Sequence, residues 1–212
     1  MYTDESVKLN EEVFTNIQIT SQENMIIKSF EKFYQVPENI RLFISIISSE
    51  SSISIRLIDH YVTKYSKNNK IVYKLNENNN DHQFNVYTSY KQQLKAFQKK
   101  HFDPFSRGDR IPYFMGNTCI ITTIGQLNFF KWFISKKIYE NINLNTVVIE
   151  NDMNKKIKIE KIKIKPNNKI VKKTAIILQS YKAPIVNTRI NDTNKMLCDS
   201  KTDKIMVTFS FN

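Results

Sequence analysis

Up to about residue 140 the apolar positions of this chain recur at three- and four-residue intervals, and after Asn145 they alternate with polar ones. The first period belongs to amphipathic helices and the second to half-buried strands. Thr20-Ser-Gln-Glu23 has the form of a capping box, and Met25, Ile26, Phe30 and Phe33 follow at helical spacing until Pro37. Pro37-Glu38 suits the first turn of a second helix through Leu42 and Ile46. Serines from Ser48 to Ser52 punctuate the chain before a third helix with Ile55, Ile58, Val62 and Tyr65 on one face. Ile71 to Leu75 is a short strand candidate, Asn76 to Asp81 a loop, and Phe84 to Tyr87 either a strand or the start of a helix.

A fourth helix, Ser89 to His101, carries Tyr90, Leu94 and Phe97 on its apolar face, and Pro104 is expected to end it. Cys119 to Ile121 reads as a brief strand. Thr123-Ile-Gly-Gln126 is a second capping box, opening a helix whose stripe is Ile124, Leu127, Phe130, Ile134 and Ile138. Beyond Asn145, the segments Val147–Glu150, Ile157–Ile164, Ile170–Leu178 and Ile205–Phe211 read as strands, with a turn at Pro166 to Asn168. Helices followed by strands predict an α+β fold, a helical N-terminal two-thirds packed with a C-terminal, mainly antiparallel sheet. Residues 1–19 form a partly ordered lead-in, 20–144 a mainly helical core region, and 145–212 a basic β-rich region of the same domain.

Composition narrows this picture. Of 212 residues, 41% are hydrophobic and 12% aromatic, enough to build a globular core. No apolar run reaches the roughly 18–20 residues that span a bilayer, and Met1 to Ser6 is polar, unlike a signal peptide. A soluble, intracellular chain is expected, with Cys119 and Cys198 as two thiols in a reducing compartment. With 3 glycines (Gly108, Gly116 and Gly125) that form no motif, Gly-rich phosphate cradles are excluded. Abundant Lys, Asn and Ile fit an AT-rich genome.

The net charge of +12 resides in two windows. Residues 153–173 hold nine lysines against Glu160, and residues 91–110 hold Lys91, Lys95, Lys99, Lys100, Arg107 and Arg110 against Asp103 and Asp109. In the second window Lys91, Lys95 and Lys99 fall at i, i+4 spacing. The arginines suit bidentate phosphate contacts, and Phe105, with Phe102, Tyr113 and Phe114, could stack on bases. The competing reading buries those aromatics and pairs the arginines with Asp103 and Asp109. In the first window Lys-Ile alternation places Lys161, Lys163 and Lys165 on a cationic strand face, a second surface for phosphates. Against that stands a solvated, lysine-rich face that discourages edge aggregation.

For catalysis the chain offers His60, His82 and His101, with Asp59, Asp81 and Asp103 one or two positions away, but sequence neighbours rarely point together and no metal-ligand spacing occurs. No catalytic residue, metal ligand or cofactor site is assigned. The reading leans away from an enzyme.

Ser54-Ile-Arg-Leu-Ile-Asp-His-Tyr-Val-Thr-Lys-Tyr-Ser-Lys67, Ser89-Tyr-Lys-Gln-Gln-Leu-Lys-Ala-Phe97, Lys100-His-Phe-Asp-Pro-Phe105 and Thr122-Thr-Ile-Gly-Gln-Leu-Asn-Phe-Phe-Lys-Trp132 occur in this order. Together they resemble an uncharacterised protein family of nucleocytoplasmic large DNA viruses, in the style of mimivirus-like and algal giant viruses, over about residues 50–140. Ser106-Arg107-Gly108 departs from the second basic residue expected near Phe105. The resemblance carries no activity or catalytic residues. It implies a virus replicating in cytoplasmic factories, and so a protein of the host cytoplasm or the virion. The leading expectation is a non-enzymatic nucleic-acid-binding protein acting in packaging, transcription or factory organisation. The alternative is an assembly component whose partner is an acidic protein surface. No membrane partner is expected.

Overall fold

The computed structural model describes residues 4–77, 80–115, 118–163, 185–186, 195–199 and 204–208. The architecture is α+β, mostly helical with small antiparallel sheets. Helix α1 (Asp4–Asn16) occupies what the sequence suggested was a loose lead-in. It is fixed by buried Val13 and Phe14 and by Asn10. The Asn10 carboxamide donates to the Phe114 carbonyl (2.9 Å) and accepts from the Phe114 amide (2.8 Å), replacing a neighbouring strand at the edge of the sheet.

Helix α2 (Ser21–Glu31) opens on the expected capping box: Glu23 donates from its backbone to the Thr20 hydroxyl (3.2 Å) and the Glu23 carboxylate accepts from the Thr20 amide (3.0 Å). Ile26 and Phe30 are buried, whereas Met25 is exposed. Helix α3 (Pro37–Ile47) starts at its proline. The third expected helix is one helical path in three parts, α4 (Ile55–His60), a π-turn (Tyr61–Tyr65) and α5 (Ser66–Asn69), closed by Lys70 at φ 48°. The π-turn buries Tyr61 and Val62.

Strands β1 (Val72–Glu77) and β2 (Asn80–Asn85) pair antiparallel from Val72 opposite Asn85 to Glu77 opposite Asn80, so most of the expected Asn76–Asp81 loop is strand. Helix α6 (Val86–Phe97) follows, capped by Asn85. Strands β3 (Ile111–Met115) and β4 (Thr118–Thr122) form a buried antiparallel pair leading into α7 (Ile124–Ser135).

Helix α7 is the centre of the core. Ile124 to Phe130, Trp132 and Phe133 are all buried, as a helix covered on every side requires. Phe130 packs on Phe43 with ring centroids 5.2 Å apart, and Phe129 packs on Phe102 at 5.1 Å. The Tyr34 hydroxyl donates to the Leu127 carbonyl at 2.7 Å. The second capping box is half made. Thr123 accepts from the Gln126 amide (3.1 Å), but the Gln126 side chain is bound elsewhere.

The largest correction falls after Asn145. The segments Val147–Glu150 and Ile157–Ile164, read as strands, lie as far as Lys163 in helix α8 (Ile138–Lys163), with Ile164 outside the described residues, and Asn145 is a kink with φ −125° and ψ 16°. Ile138, Ile142 and Ile149 are buried and Met153 is partly buried, at helical spacing, against α4, the π-turn and α7. This packing overrides the local Lys-Ile alternation. Asp152 secures the contact, lying 2.8 Å from His60 Nε2 and accepting from Lys156 at 2.6 Å.

Farther on, β5 (Ile185–Val186) pairs antiparallel with β4, and β6 (Lys195–Asp199) pairs with β7 (Lys204–Thr208). The last pair places strand within the expected Ile205–Phe211 segment and adds a partner the sequence had not suggested. The expected strand at Ile170–Leu178 and the turn at Pro166 to Asn168 lie outside the described residues.

Candidate functional site: a cleft beside a basic turn

The basic window 91–110 begins on α6, whose inner face carries buried Tyr90 and half-buried Leu94 and Phe97. Lys91 and Lys95 are exposed on its outer face. The helix ends at Phe97, four residues before the expected end and well short of Pro104. Gln98 takes φ 56°, ψ 174° while its amide donates to the Leu94 carbonyl at 3.0 Å. Lys99 and Lys100 therefore lie in an exposed turn, and the three-lysine helical stripe reduces to Lys91 and Lys95 with Lys99 beyond the helix end.

The chain after this turn is fastened to the first turns of α7. Asp103 donates its amide to the Gly125 carbonyl (3.2 Å), the Gln126 carboxamide donates to the Pro104 carbonyl (2.9 Å), and the Asn128 carboxamide donates to the His101 carbonyl (2.9 Å). Gln126 also accepts from the Thr122 hydroxyl at 2.8 Å. These bonds explain how two polar residues stay buried inside an apolar helix. They also explain Gly125: a Cβ there would lie 2.7 Å from the Lys100 carbonyl oxygen.

A cleft of about 330 Å³ opens beside the turn. Its apolar wall includes Ile17, Ile19, Ile111 and Ile124, and its polar wall includes Glu23, Lys100, His101, Asp109 and Arg110. Glu23 is the hub. One carboxylate oxygen accepts from the Thr20 amide (3.0 Å) and hydroxyl (2.8 Å); the other lies 3.0 Å from His101 Nε2 and 3.1 Å from Lys100 Nζ. Burial alone would raise its pKa, but hydrogen bonds from the Thr20 backbone, His101, the Thr20 hydroxyl and Lys100 outweigh that and bring it from 4.5 to about 2. Glu23 is charged at neutral pH, and Lys100 is ion-paired with it.

The other expected site residues are dispersed. Arg107 is held by Asp103 through two bonds, Nε to Oδ2 at 3.0 Å and a terminal nitrogen to Oδ1 at 2.6 Å. Its guanidinium lies 5.0 Å from the ring centroid of Phe105, which is half-buried. Partial burial raises the Asp59 carboxyl from its ordinary value, with Arg107 opposing and Asp103 reinforcing the rise. Phe102, Tyr113 and Phe114 are buried. Phe102 packs on Tyr90, Phe129 and Trp132, and Tyr113 on Phe14, Phe30 and Tyr34. Those three rings are core, so they offer no face to a base. Arg110 is exposed at the cleft. Lys161 and Lys163 lie on α8, a helix and not a strand face, and Lys165 lies outside the described residues.

From sequence alone Glu23 registers only as a capping residue, and nothing there marks Ile17 and Ile19 as a wall. The capping box is the one local trace of this site. Among the described residues no group of three or more His, Cys, Asp and Glu side chains is placed to hold a metal, and no helix is long and apolar enough to cross a membrane.

A family model described as "Family of unknown function (DUF7197)" matches residues 4–208, nearly the whole chain. The chain belongs to that family. Among its relatives, "Uncharacterized protein L507" of Acanthamoeba polyphaga mimivirus is 31% identical over 196 residues, covering 89% of this chain and 76% of the relative. The resemblance to giant-virus proteins therefore extends well beyond residues 50–140, into the basic C-terminal region. No solved structure matches.

Proposed function

We propose that this giant-virus family member binds nucleic acid through the phosphate backbone, without base readout and without catalysis. The observation that carries the reading is the cationic strip of Lys91, Lys95 and Lys99, all exposed and continuing past Lys100, whose charge is paired with Glu23, to Arg110 at the cleft. Three hydrogen bonds to α7 brace the chain just after the turn, so the backbone that follows Lys99 and Lys100 has little conformational freedom to lose on binding. Lysine contacts with phosphates supply affinity without sequence information. Burial of Phe102, Tyr113 and Phe114 removes most of the stacking surface that base recognition by this loop would use. Packaging, transcription or organisation of a cytoplasmic virus factory would each use such a protein. The basic half of α8, including Lys161 and Lys163, adds a second cationic segment on a helix.

Electrophoretic mobility shift with duplex DNA, single-stranded DNA and RNA at two salt concentrations tests the reading. The expected result is binding to more than one nucleic acid with affinity falling steeply as salt rises. Absence of binding to all three at low salt would reject it in favour of the assembly reading, in which the same basic strip meets an acidic protein surface.

A further inference from the structure

Helix α8 keeps one face inward on both sides of its kink, with Ile138, Ile142, Ile149 and Met153 at near-heptad spacing against the core. Its opposite face carries Glu140, Leu144, Val147, Val148, Asn151 and Lys155, all exposed. Leu144 is 83% exposed, Val147 70% and Val148 59%. Single apolar residues on a surface are ordinary, whereas three branched aliphatics in one stripe form an apolar patch that a partner can cover.

We propose that this face pairs with the same face of a second copy of the chain, the two helices antiparallel about a two-fold axis between Val147 and Val148. A two-fold interface presents one patch to itself, so the position of the axis dictates every pairing. With the axis there, Val147 of one copy meets Val148 of the other, Leu144 meets Asn151, and Glu140 meets Lys155. The charges select this occupant. An acid at one end, a base at the other and aliphatics between are self-complementary in the antiparallel sense only. Parallel helices would oppose Glu140 to Glu140 and Lys155 to Lys155. A contact through one helix face is small beside a standard interface of about 800 Å² per partner, so the pairing is expected to be weak and reversible. The pairing does not depend on the nucleic-acid reading, although two copies would double the number of lysines presented together.

Sedimentation equilibrium of the full chain, stripped of nucleic acid and run at low salt up to several hundred micromolar, tests the pairing. The expected result is a reversible monomer–dimer equilibrium, the dimer at twice 25.1 kDa. Val148→Glu should weaken it at least tenfold while leaving circular dichroism and the melting temperature unchanged. Glu140→Lys alone should weaken it, and the double variant Glu140→Lys with Lys155→Glu should restore it. A monomer at every concentration overturns the proposal, as does a dimer indifferent to Val148→Glu. A double variant no stronger than the single one overturns the antiparallel register. Loss of folding stability in Val148→Glu would show that the chain covers the stripe itself, which also overturns it.

Discussion

Replacing Glu23 with Gln removes a buried negative charge on which Thr20, His101 and Lys100 converge, and the cost should depend on pH in a defined way. The folded protein holds this carboxyl at about 2 against an ordinary 4.5. Each pH unit of that difference is about 1.4 kcal/mol, so ionised Glu23 contributes roughly 3 kcal/mol of stability. Its folded value lies below its unfolded one, so the unfolded chain takes up the proton first as pH falls. The contribution is therefore complete above 4.5 and drains away as the pH approaches about 2. Asp152, whose burial is outweighed by Lys156 and His60 so that its carboxyl is lowered, also loses stability on acidification, equally in both proteins, and cancels in the difference. Urea or thermal unfolding of wild type and Glu23→Gln, stepped from neutral pH downward, supplies that difference. At neutral pH it should reach several kcal/mol in urea, or about 6–12 °C in melting temperature for a chain of this size. It should shrink toward zero near pH 2. A difference that stays constant across the whole range would refute the electrostatic account of the Glu23 hub.

Gly125→Ala should destabilise by about 1–3 kcal/mol, because its Cβ would meet the Lys100 carbonyl at 2.7 Å; faster amide exchange at Asp103 would report the loosened turn. Phe130→Ala should cost about 3–5 kcal/mol by thermal denaturation, since the ring is fully buried against Phe43, Phe129 and Phe133. Asn10→Ala should cost about 2–4 kcal/mol and speed hydrogen exchange at the Phe114 amide, because both backbone groups of Phe114 lose their buried partner. Unchanged exchange at Phe114 would show that α1 does not close that sheet edge.

The elements legible in the sequence are those whose signals are local. The Thr20 box sits within one turn and the α7 part of its apolar stripe within a little over three, with the expected Ile138 falling on α8, and both helices begin where those signals place them. The end of α6 is not legible because Gln98, with no glycine or proline to mark it, takes a positive φ. The helical α8 reads as strands because Lys and Ile alternate locally, whereas its inward face is chosen by contacts with α4, the π-turn and α7. Gln126 and Asn128 look like polar interruptions, and their role as anchors depends on carbonyls 22 and 27 residues away. The cleft is hidden for the same reason: Glu23 and His101 are 78 residues apart. Which of the basic residues stand exposed also emerges only with the fold, and it leaves lysines, with few aromatic faces, as the means of the proposed contact.

That mode of binding is tested most directly by a salt titration of nucleic-acid affinity, measured by fluorescence anisotropy, for wild type and for the triple variant Lys91→Gln, Lys95→Gln, Lys99→Gln. All three lysines are exposed, so the variant should melt within a degree or two of wild type. On duplex DNA it should bind more weakly, with the slope of log affinity against log salt flattened by roughly 0.9 for each phosphate that is no longer neutralised. A triple variant with the affinity and salt slope of wild type would contradict the placement of the phosphate-binding surface on α6 and its following turn.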